Sequence, residues 1–196
     1  MRENIEAVLV AILLALFIRT FMVQAFKIPS GSMKETLQIG DHILVNKFAY
    51  GVKIPYLGIK LMPVSKPAND DIVVFKFPED PNKDFIKRVI GIAGDVVEII
   101  NKQLYLNGKP ITRDFAVFKD SSIIQRNRNP RDNFGPITVP ENCLFVMGDN
   151  RDHSYDSRFW KFVELDAVKG KAFIIYYSWD SESFGVRWKR LGNLLK

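Results

Sequence analysis

Pro29-Ser30-Gly31-Ser32-Met33 divides the chain. Before it, apolar residues run almost unbroken; after it, they alternate. Proline sets the direction of entry, and glycine admits φ > 0 and close backbone approach. A tight turn of this composition pushes a serine Oγ clear of the backbone beside an outward N–H. An exposed hydroxyl next to a backbone donor is the start of an acyl-transfer site. The same residues also fill ordinary turns, so the pentapeptide alone reads as well as a loop leaving the apolar segment.

Working upstream, residues 7–18 are twelve uninterrupted apolar side chains. Extended to Phe26, with only Arg19, Thr20 and Gln24 breaking the pattern, the stretch covers 20 residues. As a helix that spans about 30 Å, the hydrocarbon core of a bilayer. The sequence therefore predicts a short flank at 1–6 and a transmembrane anchor at 7–26, with Arg19 snorkelling to the headgroups. A cleavable signal peptide is the rival, with Val23-Gln24-Ala25 as a loose cleavage site. Glu3 and Glu6 before the apolar run and Arg19 after it argue against that. Arg2 and Arg19 cancel Glu3 and Glu6, so flanking charge does not set the topology.

Downstream the period becomes two. Short β-rich runs fall at 41–46, 71–77, 85–92, 96–100, 103–106, 143–147 and 172–179, separated by Gly, Pro, Asn and Asp. Asn107-Gly108 is a hairpin turn. Residues 121–140, with Arg126, Arg128 and Arg131 among asparagines, form an irregular polar excursion. A short helix is expected at 164–168. The fold class that follows is mainly β: an N-terminal transmembrane helix, then a β-rich domain of antiparallel sheets over 27–196, with 101–142 as an inserted β/loop subdomain.

In 196 residues, 47% hydrophobic with 15 Phe, there is enough apolar material for a packed core. One cysteine and two histidines leave no internal disulfide and too few ligands for a dedicated zinc site. His42, in an alternating run, reads as a strand-face residue. Neither a metal nor a cofactor is expected. The net charge of +6 lies wholly in 27–196, which suits anionic lipid headgroups. Nucleic acid is not expected as a partner, because no helix-turn-helix, zinc-finger or RNA-binding signature accompanies the charge. The apolar stretch 50–62, with Ile54, Tyr56, Leu57, Ile59 and Leu61, either dips into a membrane interface or packs inward as a hairpin.

Two further stretches carry chemistry. Lys87 lies among apolar strand residues, where a lysine either snorkels outward or sits buried with a lowered pKa. Gly148-Asp149-Asn150-Arg151-Asp152-His153-Ser154-Tyr155-Asp156-Ser157-Arg158 is a dense polar run directly after an apolar strand. Polar clusters at strand ends collect both sites and ordinary turns.

Taken in order, four blocks resemble bacterial type I signal peptidases, membrane-anchored serine–lysine proteases. They are Ile28 to Met33 with Thr36-Leu37 and Gly40-Asp41; Asp71-Ile72-Val73-Val74-Phe75; Ile86-Lys87-Arg88 with Gly91 and Gly94-Asp95; and Gly148-Asp149-Asn150-Arg151 through Ser154, Asp156-Ser157-Arg158. The resemblance implies Ser32 as nucleophile, Lys87 as general base, and an oxyanion hole from the Ser32 N–H and the Ser30 hydroxyl. It implies Ser154 orienting the lysine, Asp156 and Arg158 as a supporting pair with Asp149 and Arg151 nearby, and Ile28 and Ile86 lining pockets for small side chains. It further implies cleavage of signal peptides from exported preproteins after Ala-X-Ala-type sites, beside the export machinery. The expected location is the cytoplasmic (inner) membrane, single-pass, with the catalytic domain on the outer side. Glu35 and Ala93 stand where many members have proline, which bears on loop stiffness. Two other functions fit the same blocks: a self-cleaving serine–lysine protease, or a catalytically silent, membrane-tethered binder of polypeptides.

Overall fold

The computed structural model describes residues 2–17, 22–50 and 65–195. Helix α1, Arg2–Phe17, is followed by strand β1, Val23–Lys27, which lies antiparallel on β2, Asp41–Asn46. The single helix expected over 7–26 is thereby corrected. Residues 23–26 are strand because their backbone pairs across to β2, from Val23 opposite Asn46 to Lys27 opposite His42. Residues 18–21 lie outside the described residues. Among the described residues no helix is long and apolar enough to cross a membrane, α1 having 16 residues. The described α1 side chains, among them Ile5, Val8, Leu9, Val10 and Ile12, are all exposed.

The chain continues through β3 (Ile72–Phe77), β4 (Asp80–Ile92), β5 (Val96–Ile100), β6 (Gln103–Leu106), β7 (Lys109–Ile111), β8 (Phe134–Thr138) and β9 (Cys143–Met147). It closes with α2 (Ser157–Trp160), β10 (Val163–Glu164), β11 (Val168–Asp180) and β12 (Gly185–Val186). A large antiparallel sheet runs in the order β1-β2-β11-β3-β4-β9-β10, with β12 on β11. A smaller sheet runs β7-β6-β5-β8. The fold is mainly β and antiparallel. Asn107 and Gly108, both at positive φ, make the two-residue turn between β6 and β7. Where a helix was expected at 164–168 there is a 3-10 turn, Leu165–Ala167.

Strand β3 shows why its sequence is apolar without alternation. Ile72 and Val74 belong to one buried cluster with Ile28, Met33, Leu37 and Ile86. Val73 and Phe75 belong to another with Val89, Leu144 and Val146. Both faces are covered from Ile72 to Phe75, so polar residues have no place there, and the exposed Lys76 comes only near the strand's end. Ile90, Phe145 and Met147 leave the large sheet to pack with Val97, Ile99 and Leu104 of the small one. β8 carries Gly135 and Pro136, turn signals in the sequence. It is nonetheless an edge strand, where exposed Pro136 costs no ladder bond. Of the apolar stretch at 50–62, Tyr50 donates to Asp71 Oδ2 at 2.7 Å; residues 51–62 lie outside the described residues.

Candidate active site

Three segments converge. The first is the turn after β1. Met33 and Leu37 are fully buried in the core, and the Leu37 N–H donates to the Met33 carbonyl at 2.8 Å. This pins the 3-10 turn Gly31–Met33 from behind. Ile28 is buried too, with its N–H and C=O bonded to Asp41 and Gly40. Held at both ends, the turn leaves Ser32 9% exposed. Ser30 is exposed and extended, and its side chain makes no capping bond. Gly31 uses neither of the freedoms expected of it. Its φ is not left-handed, and an added Cβ would meet nothing within 4 Å.

The second segment is β4. Lys87 lies opposite Val73, on the face that also carries Phe85 and Val89. Its Nζ is 2.7 Å from Ser32 Oγ, donates to the Ile86 carbonyl at 3.1 Å, and sits 5.2 Å from the Phe85 ring centre. The side chain is almost wholly buried. Burial strips water from the ammonium and lowers its pKa to about 8; Asp156 and Asp149 pull the other way, while Arg158 assists the fall. Ile86 joins Ile28 in the core cluster.

The third segment runs from the end of β9 into α2. Asp156 caps α2, taking the Arg158 N–H at 3.2 Å and the Gly148 N–H at 3.1 Å. Arg158 grips it twice more, from Nε and Nη2, each at 2.8 Å. Burial raises the Asp156 pKa, but the Arg158 guanidinium and these donors outweigh it, so the carboxyl lies below its ordinary value. Gly148 is where the segments touch. A Cβ there would collide with Ser154 Oγ and with the Ser32 carbonyl. Ser154 thus reaches the site across Gly148, while the two hydrogen bonds of Lys87 go to Ser32 and Ile86.

Asp149 faces an arginine that the sequence marked only as part of a motif. Arg88 Nε and Nη2 donate to its two oxygens at 2.9 and 2.8 Å, and Thr36 Oγ1 adds a bond of 2.6 Å. Both charged side chains are buried. The signal was available in the sequence: with Ile86 and Ile90 on either side of it along the same strand face, Arg88 must be paired or the strand would not bury it. Arg151 is 3% exposed, its Nε donating to the Gly148 carbonyl at 3.2 Å. Burial, with Arg158 next in effect, lowers its pKa to about 10.

A serine hydroxyl fixed against a dry amine, on a scaffold of antiparallel sheets, is the equipment of a hydrolase that works through an activated nucleophile. The family model of signal peptidase, peptidase S26, matches residues 1–179. The chain belongs to that family of serine peptidases. It is 37% identical over 195 residues to signal peptidase I of Pseudomonas aeruginosa, covering 85% of this chain and 69% of that one. Against signal peptidase I of Aquifex aeolicus it is 37% identical over 229 residues, covering 91% and 85%. A solved signal peptidase I from Enterococcus faecalis is 32% identical with a TM-score of 0.44, over 55% of this chain and 97% of that one.

Proposed function

We propose that this peptidase cleaves signal peptides from exported preproteins, with Ser32 as nucleophile and Lys87 as general base. The observation that carries the assignment is the 2.7 Å contact between Ser32 Oγ and a buried amine whose pKa lies near 8. The neutral amine takes the hydroxyl proton as Oγ attacks the scissile carbonyl. The oxyanion is received by the Ser32 N–H and the Ser30 hydroxyl. Collapse expels the new N-terminus, protonated by the lysine, and leaves an ester on Ser32. Lys87 then deprotonates a water that attacks the ester, and the proton returns to Ser32 as the signal peptide leaves. Asp156 and Arg158 brace the wall that carries Gly148 and Ser154, with Arg151 beneath it and Asp149 tying it to β4. Ser154 stands across Gly148 from the turn that carries Ser32, and Ile28 and Ile86 floor the pockets for small substrate side chains.

An apolar helix whose described side chains are open on all sides finds its burial in lipid. α1 therefore seats the chain in the cytoplasmic membrane as a single anchor, with the sheets on the outer side as one peptidase domain. The positive charge of 27–196 draws that domain to anionic headgroups near the export machinery.

Incubation with an exported preprotein tests the chemistry. Ser32→Ala should abolish cleavage while circular dichroism stays unchanged. Ser30→Ala should lose roughly 10²–10³ in rate, the typical effect of removing one oxyanion donor. Equal losses in the two variants would mean the two hydroxyls are wrongly assigned.

A further inference from the structure

Asn150 joins parts of the molecule that are distant in sequence. Its N–H donates to the Ser32 carbonyl at 3.1 Å, and its Nδ2 donates to the Gly31 carbonyl at 3.0 Å. The Gly31 carbonyl belongs to the same planar, trans peptide as the Ser32 N–H, which therefore points the opposite way. Fixing the oxygen aims the N–H. Asn150 is itself 5% exposed and held from behind. Val117 runs parallel beside it, donating its N–H to the Asp149 carbonyl at 2.8 Å and accepting the Arg151 N–H at 2.9 Å.

Val117 belongs to a strap, residues 115–120, by which the polar excursion reaches the site. The Phe115 ring lies 3.7 Å from the Arg88 guanidinium. The Lys119 and Asp120 N–H groups donate to buried Asp152 Oδ2 at 2.6 and 2.7 Å, and Lys102 Nζ donates to Oδ1 at 2.9 Å. One end of the strap is thus locked to the residues just beyond Asn150, and its middle is zipped to either side of it.

We propose that Asn150 is a positioning residue for the cleavage reaction, aiming the Ser32 N–H at the developing oxyanion, and that the strap holds Asn150 in register. The inference rests on Ser32 being the nucleophile. A donor that matters only when the oxyanion forms lowers kcat and leaves KM alone.

The test is steady-state cleavage of a preprotein by the full chain, normalised to folded protein. Asn150→Ala keeps the backbone bond and loses the Nδ2 bond. It should lower kcat about 10- to 100-fold, the scale of an ångström-sized misplacement, with KM within about 2-fold and the acid limb of the pH profile in place. Asp152→Asn loosens the strap and should give the same signature more weakly. Lys102→Met serves as a second strap variant should the first not fold. In the double variant with Asn150→Ala the combined loss should be smaller than the product of the separate losses, because both act through one clamp. An unchanged kcat, a loss carried by KM, a displaced acid limb or fully multiplicative losses would each overturn the proposal. Ser32→Ala run in parallel separates the two levels. If it still cleaves, the nucleophile is wrong; if it is inert while Asn150→Ala is fully active, only the clamp is wrong.

Discussion

A lysine amine with its ordinary pKa of 10.5 is neutral in about three molecules per ten thousand at pH 7, and one at about 8 in about one in ten. That gain in neutral base is what the dry pocket around Lys87 provides. Cleavage should therefore fall on the acid side with a midpoint near pH 8, and His42→Gln and His153→Gln should leave the midpoint where it is. Lys87→Arg should be inactive throughout, since a guanidinium keeps its proton. Appreciable turnover by that variant, measured from pH 6 to 10, would remove Lys87 from the reaction. The same burial has a cost in stability whose sign is fixed. Between pH 8 and 10.5 the unfolded chain still holds a proton that the native lysine has released, so stability rises with pH across this window. Below pH 8 the whole cost stands. Lys87→Met should accordingly melt higher than the wild type at pH 7, with the difference shrinking towards pH 10.5. Equal melting temperatures at pH 7 would show that the amine is better solvated than its surroundings suggest.

Among the elements, β4 carries the largest burden, since it presents Lys87 to Ser32 on one face and Arg88 to Asp149 on the other. Arg88→Met leaves Asp149 buried and short of its cation. The loss should be about 3–5 kcal/mol, as for other buried pairs broken on one side, read as a lowered midpoint in urea. Asp149→Asn with Arg88→Met should recover part of it, because the pair is then removed whole. The sequence made β4 and its lysine legible, along with β2, β5, β6 and β9, because their periods and turn residues are local signals. The partner of Asp149 was less legible, since pairing depends on which residues meet across 61 positions. β1 was hidden for a different reason. Val23 to Phe26 continue an apolar run, and only the presence of β2 alongside makes them strand. Gly31 was misread in its purpose: the turn needs no special φ there, and the glycine that permits close approach is Gly148.

For the molecule as a whole, α1 precedes every segment of the candidate site, with β1 paired on the large sheet between them. A chain beginning at Met22 retains every segment of the site. It should cleave a soluble peptide at the full rate while losing rate on preproteins in vesicles, where co-localisation in the membrane is lost. An equal rate on both substrates would deny α1 its role in attachment. The strap bears on how such a protein can be rearranged. The polar excursion leaves the small sheet after β7, crosses to lie between Asp149 and Arg151, and only then returns to β8. The small sheet is therefore no detachable module. A chimera that imports it from a relative would import half of a lock whose other half stays with the host, and would work only if residues 149–152 travelled with it.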